Sequence, residues 1–276
     1  MEALAAIESW GATTAAAGVV GAVESVRGPR DVELPWASVT KLLTGTAVLV
    51  AVEEGTVDLD ESAGPEGSTL RHLLAHASGL GPEPGPPLMP PEKRRIYSNY
   101  GIELAAALVE ERAGMSFAEY LRAAVSEPLG LAGALHDSPA WGYRGPLDDL
   151  LVFARELLAP TLVDAETLAE ATTVQFPGLD GVLPSWGRMS PNDWGLAFEL
   201  RDAKSPHWTG TLASPRTFGH FGAAGTFLWV DPEADLALAV LTDRRFGEWA
   251  KDAWPTLGDE VQRAASALSP PRTEGG

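Results

Sequence analysis

Apolar residues occupy nearly every helical face from Ser38 to Glu54, and Gly55 follows as a C-cap, the pattern of a central helix buried all round. Before it, Ala15 to Val26 and Asp31 to Leu34 are short runs containing β-branched residues, split by Gly28-Pro29-Arg30. That arrangement predicts a small hairpin. The middle of the chain reads as helical: Ser68 caps Thr69 to Ala75, Ile102 to Arg112 closes at Gly114, and Leu147 to Leu158 closes at Pro160. Ser116 and Glu119 form a capping box for a helix through Val125. Between these lies Gly81 to Pro91, dense in proline and glycine, which predicts an ordered loop or lid.

After Trp194 the period shortens. Gly195 to Leu200, Thr226 to Val230 and Leu236 to Leu241 read as strands, with Asp231 to Asp235 as a hairpin turn. A terminal helix from about Glu248 to Leu268, interrupted at Pro255, would cover the resulting sheet. The layout is α+β, with an α/β part from residues 1–57 and 192–276 and an inserted helical part at 58–191. A cleft between two such parts is where small-molecule sites lie.

Charge and composition narrow the function. A formal charge of -18 repels phosphate backbones and anionic lipid, so nucleic acid and membrane surfaces are excluded as partners. The chain has no cysteine, which removes disulfides, thiolate nucleophiles and Cys-based metal sites. The longest apolar run, Leu42 to Val52, is broken by Thr44-Gly45-Thr46 and is far shorter than the roughly 20 residues of a membrane span. Met1-Glu2-Ala3-Leu4 lacks the basic start of a secretory signal, so the expected location is cytoplasmic.

The chemistry centres on Ser38-Val39-Thr40-Lys41, a hydroxyl and an amine three apart on one helix face. A lysine at the root of an apolar helix has its charged form disfavoured and serves as a base for the serine. The other lysines, Lys93, Lys204 and Lys251, have Pro90, Arg201 and Glu248 at the matching upstream position. Tyr97-Ser98-Asn99 adds a phenol and an amide on one side of the backbone; a nearby ammonium would ease ionisation of Tyr97 and let it relay a proton. In Gly219-His220-Phe221-Gly222-Ala223, Gly222 allows close approach of a ligand, the N–H of Ala223 completes an oxyanion hole with that of Ser38, and His220 borders the pocket.

Serine-x-x-lysine, tyrosine-x-asparagine and histidine-x-glycine, in that order, resemble the motif set of class C beta-lactamases and the related DD-peptidases and esterases. Leu73 to Leu80, Glu127 to Leu131 and Val230-Asp231-Pro232 are similar to the same superfamily, and the likeness runs from about Trp36 to Asp243. It implies an antiparallel sheet flanked by helices with an inserted all-helical subdomain. It also implies Ser38 as acylated nucleophile, Lys41 as base, Tyr97 as proton relay and Asn99 as a contact to substrate and lysine. His220 and Gly222 match the third motif, with Ala223 holding the second oxyanion N–H. His220 stands where most true beta-lactamases and peptidases carry lysine, and histidine there is frequent in esterase-like relatives. The expected substrate is therefore a small ester or amide, ahead of a lactam or D-amino-acid peptide, with no cofactor or metal.

Three other classes fit the sequence less well. A binding module that keeps the fold without turnover is opposed by the intact Ser38, Lys41 and Tyr97. A doubly wound Ser-His-Asp hydrolase lacks its Gly-x-Ser-x-Gly elbow. For zinc, His72 and His76 are four apart but lack the accompanying glutamate, and His136 and His207 have no convincing carboxylate partner in the sequence.

Overall fold

The computed structural model describes residues 1–268. Its centre is an antiparallel sheet of six strands in the order Ser25–Arg27, Ala15–Gly21, Leu236–Thr242, Thr226–Asp231, Phe218–Gly222 and Glu199–Leu200. Side chains alternate across a pleated strand, and here both faces are buried. Leu236, Leu238 and Val240 join Phe227 and Trp229 on one face, under the Glu248–Leu268 helix and the 3-10 stretch Glu2–Ser9. Ala237, Ala239 and Leu241 join Ala16 and Val20 on the other, under the Leu147–Leu158 helix. That second face is made of small residues because the helix sits close: a Cβ on Gly18 would lie 2.7 Å from Leu151 Cδ2.

The Thr40–Glu53 helix is buried over almost its whole length, as its composition predicts. Gly45 lets a loop press against it, since a Cβ there would lie 2.7 Å from the Cβ of Ala197. Ser38 precedes the α-helix, in the 3-10 turn Ala37–Val39. The capping box of Ser116 with Glu119 is present, and the helix it opens, Phe117–Leu121, continues through a π-helical stretch.

Several sequence expectations are corrected. The first hairpin turns at residues 22–24, not at Gly28-Pro29-Arg30; Leu34–Pro35 leaves the main sheet and pairs with Arg144 and Gly145. Ser68 spends its hydroxyl on the carbonyls of Ala63 and Pro65, so Thr69 caps the Leu70–Leu74 helix, with His72 closing the box. The helix expected at Ile102 begins at Asn99, because Ser98 Oγ accepts the Gly101 N–H. Of Gly195 to Leu200 only Glu199–Leu200 is strand. The terminal helix runs through Pro255, because Trp254 and Leu257 on either side are fully buried and hold it in register. Residues 58–191, expected as an all-helical insert, also carry the strands Ala134–Leu135, Tyr143–Gly145, Gly181–Leu183 and Gly187–Met189, and the Leu147–Leu158 helix within them packs on the main sheet. No helix among the described residues is long and apolar enough to cross a membrane.

Candidate active site

Trp36 anchors the turn that presents Ser38. It is fully buried, its N–H donates to Tyr143 O at 3.0 Å, and its indole donates to Gly145 O at 3.2 Å. The next residue, Ala37, has φ 46, a strained value for a residue with a Cβ that persists because its neighbours are fixed. Ser38 Oγ then faces Tyr97.

Lys41 lies one turn along and is wholly buried. Its Nζ stands 3.2 Å from Ser38 Oγ, 2.7 Å from Asn99 Oδ1 and 2.8 Å from Ala140 O. Burial drives the amine well below the ordinary lysine value, and the charge of Glu103 opposes this only in part. Tyr97 Oη donates to Ser38 Oγ at 2.8 Å. The phenol is pushed upward by burial, with the Ser38 bond acting the other way. The expected easing of Tyr97 ionisation by a lysine charge is thus overturned, since burial favours amine and phenol alike.

His220 comes from the Phe218–Gly222 strand and is 3% exposed. Its Nδ1 lies 2.8 Å from Phe221 O, and because a carbonyl only accepts, that nitrogen carries the proton. Burial lowers His220 to about 3, so the ring is neutral and Nε2 is a bare acceptor without a protein partner among the described residues. Gly222 brings the strand against the serine turn: a Cβ there would lie 2.6 Å from Trp36 O and 3.1 Å from Ser38 N. Ala223, which is exposed, follows it.

Ser38, Tyr97, Asn99, His220 and Ala223 all line one cavity of about 250 Å³, closed by Leu183, Pro184, Ser185, Trp194 and Phe246. Lys41 reaches it from below through Ser38, and Gly222 sets its edge. Tyr97 and Pro184 also border a groove of about 480 Å³ whose walls include Leu88, Met89, Ile96 and Val182. All seven residues singled out in the sequence therefore converge.

Some neighbours escaped the sequence reading. Trp194 packs on Tyr97, His220 and His76, and Ala140 contributes only a backbone carbonyl, which leaves no trace in composition. His76 sits beyond the end of the helix that carries His72, with φ 55, so the two rings do not share a helix face. His72 instead bonds Glu92 at 3.0 Å. His207 does have a carboxylate partner: its Nε2 is 2.9 Å from Glu199 Oε2, in a buried cluster with Lys204 and Trp208 Nε1. His207 and Lys204 hold Glu199 near 2 against the opposing effect of burial.

A family model described as Beta-lactamase matches residues 29–262. The chain belongs to the beta-lactamase-like family of serine hydrolases. Membership rests equally on a solved structure, described as a beta-lactamase from Mycobacterium bovis, that is 51% identical over 95% of this chain and 99% of that one, with a TM-score of 0.93. Simvastatin synthase from Aspergillus terreus shares the beta-lactamase fold at 18% identity, covering 95% of this chain and 93% of its own, with a TM-score of 0.76. A beta-lactamase of Escherichia coli K12 is 23% identical over 80% of this chain and 78% of its own length. A putative D-alanyl-D-alanine carboxypeptidase from Salmonella gallinarum is 23% identical over 56% of this chain, which spans only 46% of that relative.

Proposed function

We propose that this family member is an esterase-like hydrolase that acts through an acyl-enzyme on Ser38. The observation that carries the reading is that Ser38 Oγ is within hydrogen-bond reach of both Lys41 Nζ and Tyr97 Oη. Neutral Lys41 takes the Ser38 proton as Oγ bonds to the substrate carbonyl carbon, and the N–H groups of Ser38 and Ala223 hold the oxyanion. The carbon–oxygen bond to the leaving group breaks, and Tyr97 gives that oxygen its proton. Tyrosinate then removes a proton from water, the resulting hydroxide attacks the ester carbonyl, and Ser38 Oγ departs with the proton held by Lys41. Every proton is thereby returned, and no metal or organic cofactor is needed. Asn99 holds Lys41 and meets the substrate.

His220 favours an ester over a lactam. A neutral imidazole offering only a lone pair gives a penicillin carboxylate nothing to pair with, where a lysine would. The names of the Mycobacterium bovis and Escherichia coli relatives support a second reading, beta-lactam hydrolysis by the same machinery.

Intact-protein mass spectrometry after exposure to p-nitrophenyl esters and to a penicillin, alongside nitrocefin turnover, separates the two. Ester adducts on Ser38, lost in Ser38→Ala, are the expected result. Failure of a fluorophosphonate probe to label Ser38 would sink the reading and leave a non-catalytic binding module in its place.

A further inference from the structure

His76 contacts the 96–98 segment at three points. Its positive φ turns both its carbonyl and its ring toward that segment. The Ile96 N–H donates to His76 O at 3.0 Å, and the Ser98 N–H donates to His76 Nδ1 at 3.2 Å. Between these bonds, the Tyr97 ring lies 4.8 Å from the His76 ring, inclined at 47°. One residue therefore takes the backbone donors on both sides of Tyr97 and packs on the side chain between them. Trp194 backs the His76 ring edge-on at 4.7 Å.

The tautomer follows from this geometry. A backbone N–H can only donate, so Nδ1 is the acceptor and the proton resides on Nε2. A second proton on Nδ1 would face the Ser98 N–H head-on. Burial lowers His76 well below the ordinary histidine value, in keeping with a bare Nδ1. Ser98 carries the effect onward, because its Oγ caps the helix that starts at Asn99 and also donates to Gly81 O at 2.6 Å. Holding Ser98 holds Asn99 as well.

We propose that His76 is a positioning residue that fixes the Tyr97 hydroxyl on Ser38, and that it acts through its Nδ1 acceptor as well as its ring. The inference rests on Tyr97 as the proton carrier. A misplacement of the order of 1 Å in such a group costs about a hundredfold in rate, which sets the scale expected here.

The test is a double-mutant cycle on p-nitrophenyl acetate hydrolysis, with folding of each variant checked by circular dichroism at the assay temperature. His76→Ala should lower kcat by about a hundredfold with KM little changed. His76→Asn, which tolerates the left-handed backbone and offers an oxygen to the Ser98 N–H, should recover most of the loss. His76→Phe keeps a ring without the acceptor and should not. In a Tyr97→Phe background, His76→Ala should cost far less than in the wild type, because the main group it positions is already gone and only its hold on Asn99 through Ser98 remains.

Wild-type kcat in His76→Ala, or a loss that adds in full to that of Tyr97→Phe, overturns the positioning role alone. Wild-type kcat in Tyr97→Phe overturns the reading of Tyr97 and this role with it. If His76→Ala does not fold, the Asn and Phe variants decide: equal rates in the two would overturn the role of the acceptor.

Discussion

Lys41 Nζ lies 2.7 Å from Asn99 Oδ1, and this contact orients the amine. A neutral amine has two hydrogens and one lone pair. When Lys41 is neutral, Asn99 Oδ1 and Ala140 O, both pure acceptors, hold its two hydrogens, and the lone pair is left to accept from the Ser38 hydroxyl 3.2 Å away. In the proposed mechanism Lys41 acts as base in that form, and burial shifts the amine in the same direction.

Asn99→Asp should therefore move the working pH upward. A carboxylate at this position favours the ammonium form of Lys41, raises its pKa, and demands more alkaline conditions before the base is free. The acid limb of a kcat/KM–pH profile on an ester should shift up by about one unit or more. An unshifted limb would remove Lys41 as the base.

His220 ties stability to pH. Its folded value of about 3 is below the ordinary 6.5, so as pH falls through 6.5 the unfolded chain takes up a proton that the folded one refuses. The contribution is complete above 6.5 and is lost progressively down to about 3, by at most about 1.4 kcal/mol per pH unit. Urea unfolding of the wild type and of His220→Asn between pH 7.5 and 4.5 should show a shallower decline in the variant. Identical slopes would mean that His220 is not held neutral.

Gly222→Ala should harm both stability and turnover. The new Cβ would press on Trp36 O and on the Cβ of Ala37, 2.8 Å away, forcing the strand and the serine turn apart. Overpacking of this kind costs about 1–3 kcal/mol, and ester turnover should fall at least about tenfold as the oxyanion donors separate. Differential scanning calorimetry with steady-state kinetics reads both effects. Unchanged values would show that the strand yields freely.

The sequence by itself determined what is local. The all-round apolar run from Ser38 predicts the buried helix, and the three-residue spacing of Ser38 and Lys41 places amine beside hydroxyl whatever surrounds them. The Ser116–Glu119 box and the Leu147–Leu158 helix follow from neighbours within one or two turns. Only the tertiary structure decided the contacts that close over distance. It seats Tyr97 on Ser38 across 59 positions, gives Lys41 a carbonyl from Ala140, and sets His76 against the 96–98 segment, off the helix face that carries His72. It also moved the first hairpin turn and carried the last helix through Pro255. The division has a physical cause. Periodicity and capping are written in adjacent side chains, whereas a backbone carbonyl has no residue signature, and a partner many positions away is selected by how the sheet, helices and loops pack.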